Sequence, residues 1–189
     1  MQIRLNPVTL ISGAGSGIGA ACALGMARKS PGGLILADID EEALSAVADD
    51  IDAAGAAPER LSTLAFGPTD ADHWERAASF IQGQYGRLDW AVINSSATQH
   101  KPVEQSDLVD WSGRSKVAHL EGAILSLRAI MQLMSKNRQG GAIVLTSAAS
   151  AIKTDDEARS VPGLLQLMRA AAHEGAMHNV RLNAVAPGG

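Results

Sequence analysis

Short β-type runs alternate with longer helical ones from one end of the chain to the other, and that alternation restricts the fold more than any other feature. Strand candidates lie at 8–12, 33–37, 61–66, 88–93, 142–146 and 180–186, with helical segments at 18–29, 41–54, 70–85, 107–137 and 162–178. Most of the strand runs are apolar without strict alternation, as strands covered on both faces require. The punctuation agrees: Ser30-Pro31-Gly32-Gly33 stops the first helix, Thr69 is placed to cap the third, and Gly86 to end it.

A series of βαβ crossovers implies a parallel sheet. The expected fold class is therefore α/β, a single doubly wound parallel-sheet Rossmann domain whose six strands run in the order 3-2-1-4-5-6 between layers of helices. The chain has 189 residues, no internal repeat and no linker long enough to divide two cores, so 1–189 is expected to form one domain. "GRLDW" and "NRQGG" read as turns.

Composition excludes some functions. Sixteen Lys and Arg against twenty Asp and Glu give a net charge of −4, which leaves no basic footprint for nucleic acid. No apolar run approaches the length that spans a bilayer, and "MQIRLNPVTLIS" lacks a signal-peptide layout. The one cysteine, Cys22, cannot form an internal disulfide and reads as a small core residue, and the expected location is cytoplasmic. The five histidines, His73, His100, His119, His173 and His178, show no metal-ligand spacing, so no metal is expected.

Between the first strand and the first helix stands "SGAGSGIG", residues 12–19. Gly13, Gly17 and Gly19 fit the spacing G-x-x-x-G-x-G. The first permits a tight turn off the strand, the second lets a pyrophosphate approach the backbone, and the third lets the helix pack close to the sheet. The helix opening at Ile18 points unpaired N–H groups and a partial positive charge at that pyrophosphate. Asp38 ends the second strand about 20 residues on, where an acid accepts hydrogen bonds from ribose hydroxyls. It would repel a 2′-phosphate, and no Arg or Lys lies within 13–19 or beside Asp38. NAD is thus preferred over NADP.

With these residues in place the chain resembles the short-chain dehydrogenase/reductase family from Val8 to Gly188, through "SGAGSGIG", "LADID", "YGRLDWAVINSSA", "GGAIVLTSAAS" and "VRLNAVAPGG". The resemblance implies hydride transfer between NAD(P) and an alcohol or carbonyl. It places Ser12, Gly13, Ser16, Gly17, Ile18 and Gly19 around the cofactor phosphates, and Asp38 and Ile39 at the adenosine. Asn94 opens "NSSA" where the family has Asn-Asn-Ala-Gly, and Pro187 and Gly188 carry the sixth strand into the nicotinamide pocket. The adenine-side aspartate that follows the family's third strand is replaced here by Gly67-Pro68.

The family's chemistry needs a tyrosine as acid/base and a lysine in a Tyr-x-x-x-Lys pair, with a serine to position the carbonyl oxygen and an asparagine on the fourth helix. Counting back from the gapless match at the C-terminal end, these positions hold Glu157 and Val161. The one tyrosine, Tyr85, belongs to "YGRLD", and Pro162 delays the helix that should present the pair to near Ser160. Ala148 falls at the serine position with Ser147 beside it, and His119 at the asparagine. Ser147, His119 and Glu157 are the candidates for an unorthodox catalytic set.

The leading expectation is an NAD(H)-binding protein of this family without its Tyr–Lys pair. Two others stand beside it: an active alcohol/carbonyl oxidoreductase, and a structural or regulatory subunit that pairs with intact family members. The resemblance also implies a homodimer through 107–137 and 162–178. Family members continue beyond the position of Gly189 into a substrate-covering helical segment and a seventh strand, so the chain is either naturally short or C-terminally incomplete.

Overall fold

A computed structural model describes residues 6–29, 32–55, 60–94, 114–146 and 160–186, with the backbone alone for 114–119 and 160–162. These residues form strands β1 (Thr9–Ser12), β2 (Leu34–Asp38), β3 (Leu61–Ala65), β4 (Trp90–Asn94), β5 (Gly141–Thr146) and β6 (Val180–Val185). The helices are α1 (Gly17–Lys29), α2 (Glu41–Ala53), α3 (Ala71–Tyr85), α4 (Arg114–Met134) and α5 (Ser160–Ala176). The strands make one six-stranded sheet in the order β3-β2-β1-β4-β5-β6, as the alternation of elements predicts. Every pairing is parallel.

The unalternating apolar runs have a direct explanation. Neighbouring side chains leave a strand on opposite faces, and here both faces are dry. On β1, Leu10 joins one core and Ile11 the other; on β2, Ile35 and Leu36 divide in the same way. One core lies under α3, α4 and α5 and includes Trp74, Ile81, Leu127, Ile130 and Met168. The second lies under α1 and α2 around Ile11, Leu36, Leu44, Val92 and Ile51, with Cys22 packed half-buried against it. Cover on both faces does not extend to the edge strands: Thr63 and Ala65 of β3 are exposed, and so is much of β6. Among the described residues its Arg181, Asn183 and Val185 are exposed, and no β5 or β6 side chain enters the second core.

Several boundaries differ from the sequence reading. Asn94 ends β4 one residue past the expected run, because it continues the ladder opposite Thr146, while Asp38 ends β2 opposite Ala65 as expected. Asp70, not Thr69, caps α3: its carboxylate accepts the His73 N–H at 3.0 Å. Gly86 ends that helix with φ of 68°, as expected of a residue in the left-handed region. α4 is described from Arg114, so the expected start at 107 lies outside the described residues. α5 is described from Ser160, so Val161 and Pro162 are the second and third residues of its described span, and its expected start at 162 is two residues late.

"GRLDW" does more than turn. Asp89, 1% exposed, accepts the Val8 N–H at 2.9 Å and the Arg87 Nε–H at 2.7 Å on the same oxygen. It joins the entrances of β1 and β4.

Candidate functional site: the carboxyl edge between β1 and β4

Chain order reverses between β1 and β4, so the loops leaving them diverge and open a crevice at their carboxyl ends. The glycine loop fills the β1 side of it. Gly13 has φ of +65°, and a Cβ there would overlap the Asn94 carbonyl oxygen. Gly19 is excluded from carrying a side chain by the Gly13 carbonyl, which lies against it. These two contacts bring loop, helix and sheet to backbone distance. Gly17 differs: at φ of +53° it leads α1 with no atom within 4 Å of where its Cβ would be. The loop is therefore tight beneath and open above Gly17, a shape that admits a pyrophosphate.

The loop is held from both sides. Ala14, fully buried, donates its N–H to the Ala37 carbonyl at 3.1 Å. Across β1, the Asn94 Nδ2 donates to the Gly13 carbonyl at 3.2 Å, while its Oδ1 accepts the Thr146 hydroxyl at 2.6 Å. The ends of β5, β4 and β1 are joined through one amide. On the β2 side, Asp38 Oδ2 accepts the Gly15 N–H at 2.8 Å and Oδ1 accepts the Asp40 N–H at 3.2 Å. Thr146 and Gly15 were not singled out from the sequence. Thr146 had a usable sign, a hydroxyl at the end of an apolar strand; Gly15 stood outside the three-glycine spacing.

Other candidates distribute around this edge. Ser12 is half-buried at the end of β1, and Ser16 is exposed with its carbonyl accepting the Ala20 N–H at 3.3 Å. Ile18 and Ile39 stand out at 43% and 73% exposure, and Gly67, at the end of β3, faces the Ile39 side chain. Together they line the crevice with apolar surface beside the Asp38 carboxylate. His119 lies in α4, described by backbone alone; Ser147, Glu157, Pro187 and Gly188 lie outside the described residues.

The one tyrosine is placed far from this edge. Tyr85 ends α3 at the amino end of the sheet, its hydroxyl 3.0 Å from that of Ser62 and its ring against Gly33. A Cβ at Gly33 would strike that ring, so the glycine makes room for the phenol there. Among the described residues no three His, Cys, Asp or Glu side chains gather as a metal site requires.

The profile of the short chain dehydrogenase family matches residues 7–189, nearly the whole chain. The chain belongs to the short-chain dehydrogenase family. It is 27% identical over 208 residues to short-chain dehydrogenase anuF of Penicillium roqueforti, a match covering 100% of this chain and 75% of that one. It is 29% identical over 184 residues to the 3-oxoacyl-acyl-carrier-protein reductase FabG of Thermotoga maritima, covering 96% and 73%. Among solved structures, a short-chain type dehydrogenase/reductase from Mycobacterium marinum superposes with a TM-score of 0.84 at 26% identity, covering 97% of this chain and 75% of that one. A 3-ketoacyl-ACP reductase from Sinorhizobium meliloti gives 0.79 at 28% identity, covering 96% and 72%. The short-chain dehydrogenase family is one of oxidoreductases that bind a nicotinamide cofactor. In this member the glycine loop, the Asp38 carboxylate and the Asn94 amide meet at the crevice between β1 and β4.

Proposed function

We propose that this short-chain dehydrogenase binds NAD(H) in preference to NADP(H) and lacks the acid/base pair that drives alcohol and carbonyl interconversion in its family. The observation that carries the cofactor reading is the Asp38 carboxylate. It stands at the carboxyl end of β2, fixed against the glycine loop, with no Lys or Arg at 13–19 or beside it to neutralise a 2′-phosphate. Ser12, Gly13, Ser16, Gly17, Ile18 and Gly19 would hold the pyrophosphate, Asp38 the adenosine ribose, and Ile39 the adenine. Asn94 would fix the loop from the other side, with Pro187 and Gly188 beside the nicotinamide. A bound nicotinamide supplies hydride acceptance or donation. The proton that must move with the hydride is where this chain departs from its relatives.

Removing a hydride from an alcohol leaves positive charge on carbon unless the hydroxyl proton departs too, and a positioned base supplies about 10²–10⁴-fold. The sequence puts Glu157 and Val161 at the tyrosine and lysine positions, and the one tyrosine is hydrogen-bonded to Ser62 at the opposite end of the sheet. The expected outcome is NADH binding by calorimetry, weaker NADPH binding, and no appreciable NAD-linked oxidation of simple secondary alcohols near neutral pH. Tighter NADPH binding would overturn the cofactor preference. Robust turnover abolished by changing Ser147, His119 or Glu157 would establish instead an active oxidoreductase with an unorthodox acid/base. The reductase names of its relatives make ketones and 3-oxoacyl thioesters the first substrates to try.

A homodimer through α4 and α5 belongs to the same reading: these helices pack together and expose Ile124 and Leu165 at 43% and 44%. Co-purification with an intact family member would favour the pairing-subunit reading over a homodimer. No helix among the described residues is long and apolar enough to cross a membrane. We place the protein in the cytoplasm, where its single thiol stays reduced, and treat 1–189 as one dinucleotide-binding unit.

A further inference from the structure

Gly15 is the loop glycine that the G-x-x-x-G-x-G spacing leaves without a task. In the fold it has two. Its N–H donates to Asp38 Oδ2 at 2.8 Å, tying the loop to β2 across a separation of 23 residues. A Cβ at this position would stand 3.0 Å from the Ala43 methyl and 3.1 Å from Asp38 Cγ and Oδ2. Neither neighbour has freedom to retreat. Ala43 sits in the first turn of α2, where its N–H is capped by Asp40 at 3.0 Å, and the Asp38 carboxylate is held on its other oxygen by the Asp40 N–H.

A carboxylate has about four acceptor positions. Two on Asp38 are taken by the Gly15 and Asp40 N–H groups, one on each oxygen. The plane of the group is thereby fixed, and one acceptor position remains on each oxygen, matched to two adjacent hydroxyls. Resting on the NAD(H) reading above, we propose that Gly15 is a specificity-determining residue. Its N–H, together with its missing side chain, locks the Asp38 carboxylate into the orientation that accepts a vicinal diol, the 2′- and 3′-hydroxyls of the adenosine ribose. Asp38 then acts twice, as the diol acceptor and as the anchor of the glycine loop.

The two roles separate by substitution. Asp38→Asn keeps an oxygen for the Gly15 N–H and loses the charge and one diol acceptor. Asp38→Ala loses the anchor as well. Gly15→Ala keeps the carboxylate and presses a methyl group against it. Amide exchange at residue 15, followed by NMR in the cofactor-free protein, reads the anchor; calorimetry with NADH and with NADPH reads the diol site. Protection of the Gly15 amide should persist in Asp38→Asn and vanish in Asp38→Ala. Gly15→Ala should weaken NADH binding about tenfold, the loss expected when one charge-assisted hydrogen bond is misaligned, and NADPH binding less, so that the preference narrows.

Wild-type protein whose Gly15 amide exchanges as fast as a free loop amide overturns the proposal. So does Gly15→Ala protein that binds NADH like the wild type. Wild-type protein that binds neither dinucleotide sinks the NAD(H) reading itself, and the diol site with it. Should Gly15→Ala fail to fold by thermal melting, the wild-type and Asp38→Asn exchange rates still decide.

Discussion

At Gly13 two constraints coincide, a φ of +65° and a Cβ position already occupied by the Asn94 carbonyl. A side chain there is opposed by backbone, which cannot turn aside as a flexible side chain would. Gly13→Ala is expected to lower the unfolding free energy by about 2 kcal/mol or more in urea titration and to abolish dinucleotide binding. Asp89 is the corresponding fixed point at the opposite edge. Its buried carboxylate receives the Val8 N–H and the Arg87 guanidinium, and removing it strands a buried donor between β1 and β4. Asp89→Ala should cost about 3 kcal/mol by the same titration, with no direct effect on the crevice. A loss under about 1 kcal/mol would mean that water replaces the carboxylate.

Capping decides the start of α3, and two neighbours compete for it. Thr69 and Asp70 both have side chains that can accept from the first turn, and the backbone selects Asp70, whose φ and ψ of −98° and 111° suit the cap. The His73 backbone N–H is the chief cause that holds the Asp70 carboxyl below its ordinary value, and the His73 ring, 2.7 Å away, adds to it. A carboxyl with a lowered folded pKa stabilises the fold above its unfolded value, and that stabilisation is lost as pH falls through the folded one. Acid titration should therefore erode the α3 start in wild type, and Asp70→Asn should flatten that part of the profile. Asp70→Ala should lower the denaturation midpoint, while Thr69→Ala should leave it nearly unchanged. In α5, Val161 is the second described residue, and Glu157 lies outside the described residues. Glu157→Tyr alone is expected to give no alcohol oxidation in an NADH-absorbance assay. Adding Val161→Lys restores a phenol and a cation at the family's sequence positions, and turnover should exceed that of Glu157→Tyr alone; its absence would place the obstacle at Pro162, which delays the helix that should present the pair.

For the molecule as a whole, the sheet has α1 and α2 on one side and α3, α4 and α5 on the other. Ile124 and Leu165 are apolar surface on two helices that pack together, which is what a twofold contact would bury. Light scattering at micromolar concentration should give a dimer, and Ile124→Lys with Leu165→Lys should give a monomer with an unchanged melting profile at low concentration. A wild-type monomer would remove the homodimer from the proposal.

Given the right-handed crossovers that fix the strand order, the helix-strand alternation and the position of the glycine loop were both determined by the sequence alone. Each depends on local periodicity, or on residues such as Gly86 whose conformational freedom is intrinsic, so neighbours along the chain suffice to reveal it. The tertiary structure decided what depends on approach between distant segments. The Gly15 N–H meets Asp38 across 23 positions, and Asn94 meets Gly13 across 81. The choice of Asp70 over Thr69 and the bonding of the one tyrosine to Ser62 are of the same kind. A hydrogen bond requires a distance and an angle between two groups, and for residues far apart in the chain only the folded backbone supplies both.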